Sequence, residues 1–218
     1  MTRYISLGST CGVAYQLQQL KLRGEAMPFD WIKTCNLSSI IEVFGLGFSK
    51  FVEFDSLQFH SESIKHPVLV TDDFEETLDN KKSFVYKNSL NMIFYHDFNS
   101  KFSSCNDENY TTFYNKYERR FNRLNDAFVS GKKLVFIRDE HKPHTINIDL
   151  IKKLIEILND KMQNGTIFKL IIIINNPKNK KYEWIEEAEK LGIKIINDDK
   201  KLIGWKRDNL DWMSIIDV

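Results

Sequence analysis

The chain has 218 residues, and its 42% hydrophobic content is enough apolar material for one substantial core. Because 31 Lys and Arg oppose 30 Asp and Glu, the formal net charge is +1, which gives no electrostatic support for binding to nucleic acid or to anionic lipid. The longest apolar run, residues 170–174, is too short to span a bilayer, and residues 1–8 lack the features of a signal peptide. We expect a single domain over residues 1–218 with neither nucleic acid nor membrane as a partner.

The first predicted elements are a short apolar strand, residues 4–7, that breaks at Gly8, and a helix with Cys11 in its first turn. Unpaired N–H groups and the positive helix end favour a thiolate there, which lowers a thiol pKa from about 8.5 toward roughly 3.5–7.5. The same N–H groups could hold an oxyanion. Cys11 is therefore the leading candidate nucleophile. The alternative is an inert cysteine that packs at a strand–helix junction.

Ser9 and Thr10 precede this helix, and either hydroxyl could cap its N-terminus. Ser9 could instead be the nucleophile, or residues 8–10 could cradle a phosphate. Neither a Gly-x-Gly-x-x-Gly motif nor a Walker lysine is present, which argues against nucleotide binding. We place Ser9, Thr10 and Gly12 among the candidate substrate-binding residues.

Residues 27–31, Met-Pro-Phe-Asp-Trp, hold a carboxylate between two aromatic rings. Asp30 could orient a catalytic histidine in a dry contact, or it could cap the N–H groups of a structural turn. Trp31 is a further candidate for substrate binding. A predicted helix over 37–44 follows, and we expect residues 45–112 to form an irregular, aromatic-rich insertion.

Within this insertion, residues 91–98 predict a short strand that runs into a loop. Rigid scaffolds present reactive groups at strand ends, so His96 is the preferred base for the thiol. Asp97 could orient the ring of His96. However, neighbours in extended backbone point to opposite faces, and this favours Asp30 over Asp97. His60 and His66 are expected at the surface.

The second half of the chain alternates regularly between apolar strands and amphipathic helices. Uniformly apolar strands are typical of a parallel sheet that is covered by helices on both faces. We therefore predict an α/β fold with three layers and a mostly parallel sheet, to which the opening strand also belongs. The predicted elements are a helix at 113–129, strands at 133–138, 168–175 and 193–197, and helices at 148–158 and 182–191.

A second group of candidates follows the predicted strand 134–137, at the edge where parallel sheets hold ligands. His141 and His144 compete for the role of base, and with Asp139 they form a weak metal alternative. We expect no metal site, because their spacing matches no metal pattern well. Arg138 could bind an anionic group of the substrate or of an acyl donor, or it could form a structural salt bridge.

The three cysteines, Cys11, Cys35 and Cys105, are odd in number and widely spaced, which indicates neither a disulfide framework nor a zinc site. Three early segments of the chain together resemble an uncharacterised family of papain-like cysteine peptidases from bacteria and some large DNA viruses. The resemblance extends more loosely through two later segments. The early segments are residues 6–17, 26–32 and 95–98, and the later ones are 117–121 and 134–138.

The resemblance implies that Cys11 is the nucleophile, that His96 is the base, and that Asp30 or Asp97 is the third member. A more distant similarity to capsule-polysaccharide acetyltransferases, which carry a cysteine after strand one, implies an acyltransferase or esterase. The expected substrate is then a peptide, an ester or a glycan. No cofactor is expected unless a coenzyme A thioester is the acyl donor. The location would be the cytoplasm of a bacterium or of a viral host, and a non-catalytic binding module is the third alternative.

Overall fold

The computed structural model describes residues 2–217 apart from 64–67, 71–74 and 78–81, so His66 lies outside the described residues. The strands are β1 (Thr2–Ser6), β2 (Ile32–Thr34), β3 (Gln58–Ser63), β4 (Val68–Val70), β5 (Glu75–Thr77), β6 (Ser83–Lys87), β7 (Met92–Phe94), β8 (Lys133–Glu140), β9 (Ile167–Asn175) and β10 (Lys194–Asp198). The helices are α1 (Gly12–Gln19), α2 (Leu37–Val52), α3 (Glu108–Phe128), α4 (Ile148–Lys161), α5 (Glu183–Lys190) and α6 (Trp212–Ile216).

A four-stranded parallel sheet has the order β1-β8-β9-β10. Its register places Ile5 beside Phe136, and Ile172 lies between Arg138 and Ile195 on the neighbouring strands. Because parallel strands need a crossover, α4 connects β8 to β9 and α5 connects β9 to β10. The predicted alternation of strands and helices in the second half of the chain is confirmed.

The parallel sheet contributes residues to two separate hydrophobic clusters. Val135 and Ile137 cluster with residues of α1 and α6, including Val13. The alternate residues Leu134 and Phe136 belong to the larger cluster, to which α2, α3, α4 and α5 contribute. Since successive side chains of a strand point to opposite faces, helices pack on both faces of this sheet.

A second sheet is antiparallel, with the order β2-β7-β6-β3, and β4 pairs with β5 in a separate two-stranded sheet. The expectation of a mostly parallel sheet is confirmed in part: the sheet of β1, β8, β9 and β10 is parallel throughout, whereas the described pairings among β2 to β7 are antiparallel. Residues 45–112 also contain regular strands, which corrects the expectation of an irregular insertion. Their aromatic side chains form part of the larger core, where the ring of Phe51 contacts those of Phe94 and Tyr117.

None of the helices among the described residues has the length and apolar character needed to cross a membrane. The longest of them, α3, has one apolar face, which packs in the core, and its other faces are polar. This face matches the predicted helix over 113–129, and it brings Tyr117 toward β7.

Candidate active site

Cys11 lies at the N-cap position of α1, immediately after the turn that leaves β1. Gly8 has a φ of 73°, and a β-carbon at this position would lie 2.8 Å from the Thr34 hydroxyl. Ser9 follows with a φ of 82°, which is uncommon for a residue with a side chain and indicates local strain. The first N–H groups of α1, those of Val13 and Ala14 among them, have no acceptor within the helix, as at any helix start.

Thr34 at the end of β2 holds this turn in place. The Ser9 N–H donates to Thr34 Oγ1 at 2.8 Å, and the Thr34 N–H donates to the Ser9 carbonyl at 3.2 Å. The buried Arg138 guanidinium donates to the Leu7 carbonyl at 3.0 Å, to the Thr34 hydroxyl, and to Glu140 at 2.8 Å. The strained turn is therefore fixed by β2 and β8 together.

β2 pairs antiparallel with β7, with Thr34 opposite Met92 and Ile32 opposite Phe94, so the loop after β7 begins beside Ile32. Burial raises the pKa of Tyr95, and the charges of Cys35 and Cys11 raise it further. Tyr95 is the first residue of the loop that follows β7. His96 follows it, partly exposed, with its ring centroid 6.5 Å from that of Tyr95.

Tyr117 of α3 forms a buried part of the same site. Burial raises the pKa of Tyr117 well above its ordinary value, and the charges of Asp97 and Cys11 act in the same direction, whereas Arg120 opposes them. Asp97 is buried and forms an ion pair with Lys116. The thiol, the tyrosine hydroxyl and the Asp97 carboxylate therefore influence one another electrostatically.

Two cations flank the Tyr117 ring. Lys116 Nζ lies 5.5 Å from the ring centroid and Arg120 Cζ lies 5.2 Å from it. Arg120 is fully buried. Both cations therefore belong to the surroundings of the Tyr117 ring.

Asp30 is buried and supports the turn that precedes β2. Its carboxylate accepts the Met27 N–H at 2.8 Å and lies 3.3 Å from Arg23 Nε. The Arg23 guanidinium in turn lies 5.1 Å from the Trp31 ring centroid. These contacts are those of the turn-capping alternative, and a contact of Asp30 with His96 stays a prediction.

The rival histidine His141 is paired with Asp139, at 3.0 Å between its Nε2 and the carboxylate. Asp139 continues the alternation of Val135 and Ile137, so it faces the α1 side of the sheet. His144 lies in a short 3-10 turn after β8 and is exposed. Within the part of the chain that the structure describes, no group of three or more His, Cys, Asp or Glu side chains could hold a metal ion.

The five predicted substrate-binding residues differ in exposure. Thr10 is partly exposed, and its hydroxyl lies 3.4 Å from the Gly12 N–H, whereas Ser9, Gly12 and Trp31 are buried. Arg138 is fully buried, and its contacts with Glu140 and the Leu7 carbonyl are those of the structural salt-bridge alternative. Contact with substrate stays a prediction for all five and suits the exposure of Thr10 best.

Sequence reasoning did not identify Tyr95, Tyr117 or Cys35 as parts of the site. Tyr117 was expected in the apolar stripe of a helix, and its burial agrees with that expectation. Its place in the candidate site depends on the pairing of β2 with β7. Strands of three residues are too short to show a periodic pattern in the sequence, so this pairing could not be predicted. For Tyr95, the one available signal was its position beside His96.

The fold and the site define an α/β protein with a cysteine at the start of the helix that follows its first parallel strand. The family model described as "Putative papain-like cysteine peptidase (DUF1796)" matches residues 2–178, and the chain belongs to this family. It is 48% identical over 217 residues to "Uncharacterized protein R408" of Acanthamoeba polyphaga mimivirus, a match that covers 99% of this chain and 97% of that protein. No solved structure matches the chain.

Proposed function

We propose that the protein is a cysteine-dependent acyl-transfer enzyme that hydrolyses a peptide or ester bond, with Cys11 as nucleophile and His96 as base. One observation carries this proposal: Cys11 begins α1, and the turn before it is hydrogen-bonded to Thr34 of β2, whose partner strand β7 leads into the loop with His96. The raised pKa of Tyr95 and of Tyr117, to which Cys11 contributes after burial, supports the same grouping. Membership of the peptidase family supports the same reaction class.

In the proposed mechanism, His96 takes the proton of the Cys11 thiol, and Sγ forms a bond to the substrate carbonyl carbon. The N–H groups of the first turn of α1 stabilise the oxyanion. The bond to the amine or alcohol then breaks, and His96 returns its proton to that leaving group. Water attacks the thioester with His96 again as base, which releases a carboxylic acid and restores the thiol. The reaction needs no cofactor.

The environment of the thiol favours this chemistry in two ways. The positive end of α1, where Cys11 lies, stabilises negative charge on sulfur. Burial around Tyr117 lowers the local dielectric constant, which strengthens this interaction. An inert packing cysteine would not need this arrangement.

The test is the rate at which iodoacetamide modifies each cysteine as a function of pH, followed by mass spectrometry of the cysteine peptides. We expect Cys11 to react rapidly below pH 7, and His96→Ala to move its profile toward higher pH by about one unit. Cys105, which is exposed, is the internal reference within the same molecule. Three thiols with the same profile would refute the nucleophile and favour a binding module.

His141 is the matched control for His96, because its close pair with Asp139 is the other arrangement that could supply a base. His96 is preferred because it follows β7, whose partner strand β2 is hydrogen-bonded to the turn before Cys11. We expect His141→Ala to leave the Cys11 profile unchanged. The opposite pattern, with His141 required and His96 dispensable, would transfer the role of base to His141.

The molecule that accepts the acyl group from Cys11, either water or another nucleophile, is identified on the acyl-enzyme itself. After Cys11 is acylated with an activated ester or a coenzyme A thioester, we expect water to discharge it without help from an added sugar or amine. A discharge that accelerates strongly with a sugar hydroxyl would instead identify an acyltransferase. Cys11→Ser is the control that distinguishes acylation at this residue from acylation elsewhere.

A further inference from the structure

The chain beyond β10 crosses the carboxyl edge of the parallel sheet as an irregular segment, residues 199–211, which we call the C-terminal strap. Its Arg207 is fully buried. The guanidinium donates to both carboxylate oxygens of Asp139, at 2.9 and 3.2 Å, and to Asp198 at 2.7 Å. Since Asp139 belongs to β8 and Asp198 to β10, one side chain attaches the strap to two strands.

The backbone at Arg207 is also constrained. Its φ is 58°, a left-handed conformation that is uncommon for a residue other than glycine. Its carbonyl accepts the indole N–H of Trp212 at 3.0 Å and the N–H of Leu210 at 3.3 Å. Such a conformation persists where surrounding contacts impose it, and here they come from the sheet and from α6.

The strap lies directly on the first turn of α1. A β-carbon at Gly12 would lie 2.4 Å from the Trp205 carbonyl oxygen and 3.3 Å from Arg207 Cγ. The Gln16 amide donates to the Lys206 carbonyl at 2.7 Å and to Asp208 at 2.8 Å. These contacts hold the first turn of α1 against the strap.

We infer that Arg207 is a positioning residue for Cys11, an inference that rests on the proposed function. By attaching the strap to Asp139 and Asp198, it holds the backbone around Gly12 and therefore the direction of the adjacent Cys11 side chain. The influence of a helix N-terminus falls off within one turn, so the orientation of that turn determines how far the thiolate is stabilised. Arg207 lies beyond the residues 2–178 that match the family model.

The test compares Arg207→Gln with Arg207→Lys in the full chain, with the pH profile of Cys11 alkylation by iodoacetamide as the readout. We expect Arg207→Gln to slow alkylation at pH 6.5 by about tenfold, equivalent to one pKa unit, and Arg207→Lys to recover part of the rate. Lys194→Ala is the control. It removes the bonds from Lys194 to the Ser214 and Asp217 carbonyls, which involve neither Arg207 nor Gln16, and it should keep the wild-type profile.

If Arg207→Gln does not fold, Gln16→Ala replaces it, because this variant loses two bonds between strap and helix and keeps the ion pairs of Arg207. The same slowing is expected. Wild-type profiles in the folded variants would overturn the positioning role and leave the proposed function intact. A wild-type Cys11 that reacts no faster than Cys105 at pH 6.5 would overturn both.

Discussion

Thr34 and Ser9 are hydrogen-bonded in both directions, through the Ser9 N–H to Thr34 Oγ1 at 2.8 Å and through the Thr34 N–H to the Ser9 carbonyl at 3.2 Å. This pair joins the turn that carries Cys11 to the strand that pairs with β7. The two halves of the candidate site, one with the thiol and one with His96, are therefore connected through a single hydroxyl-bearing residue.

Replacing Thr34 by Val should destabilise the protein by about 1–3 kcal/mol, because the buried Ser9 N–H loses its acceptor. The variant also removes the hydroxyl that accepts from Arg138. Urea unfolding measures the loss. Thr34→Ser retains the hydroxyl and should recover most of the stability, and equal losses in both variants would contradict a role for the hydrogen bonds.

Replacing Arg138 by Met should cost about 3–5 kcal/mol, because it leaves the carboxylate of Glu140 buried without its cation. Adding Glu140→Gln to this variant should recover a substantial part of the loss. Denaturant unfolding of the two single variants and the double variant gives the coupling energy of the pair. Strict additivity of the two single effects would show that the ion pair does not support the turn.

Asp97→Asn should move the pH profile of Cys11 alkylation, whereas Asp30→Asn should mainly reduce stability. The reason is that Asp30 caps the Met27 N–H and pairs with Arg23, while Asp97 follows His96 and acts electrostatically on Tyr117. Alkylation profiles and thermal unfolding of both variants separate the two effects. A profile moved by Asp30→Asn alone would make Asp30 the partner of the histidine.

Stability should fall as the pH rises above about 10, and Tyr117→Phe should make this fall shallower. Burial raises the pKa of Tyr117 in the folded protein, so the folded state binds the phenolic proton more tightly than the unfolded chain does. The stabilisation is complete below the unfolded pKa of about 10 and is lost as the pH rises toward the folded value. Unfolding free energies measured between about pH 8 and 11 test this, and parallel curves for the two proteins would refute it.

Sequence periodicity identified the parallel half of the fold because its strands are long, continuous and apolar. Seven of the eight residues of β8 are buried, and four of them, residues 134–137, form an apolar run in the sequence. The other three, Arg138, Asp139 and Glu140, are charged, so their burial is not visible in this pattern. The antiparallel sheet was not foreseen, since β2 and β7 have three residues each and pair across a wide separation in the chain. Strands this short give no periodic pattern.

The position of Cys11 was predicted to within one residue, from the break at Gly8 and the apolar helix that follows. The packing partners of Tyr117, Asp97 and Arg207 were not predictable in the same way. Each depends on which distant segment lies against it: α3 against β7, Lys116 against Asp97, or the strap against α1. A single sequence reports local preference and burial, and it reports partnerships between distant segments only through recognisable motifs.

The pairing of Ile5 with Phe136 has a consequence for biosynthesis. The ribosome makes the segment with Cys11 long before it makes β8, the strand that pairs with β1. Until then, the turn and the start of α1 around the thiol are not held in place. Closing so long a loop is slow and entropically costly, and domains of this size often fold through intermediates. On the proposed function, the Cys11 thiol should therefore become reactive only after β8 has been made, and fragments that stop before β8 should carry a thiol of ordinary reactivity.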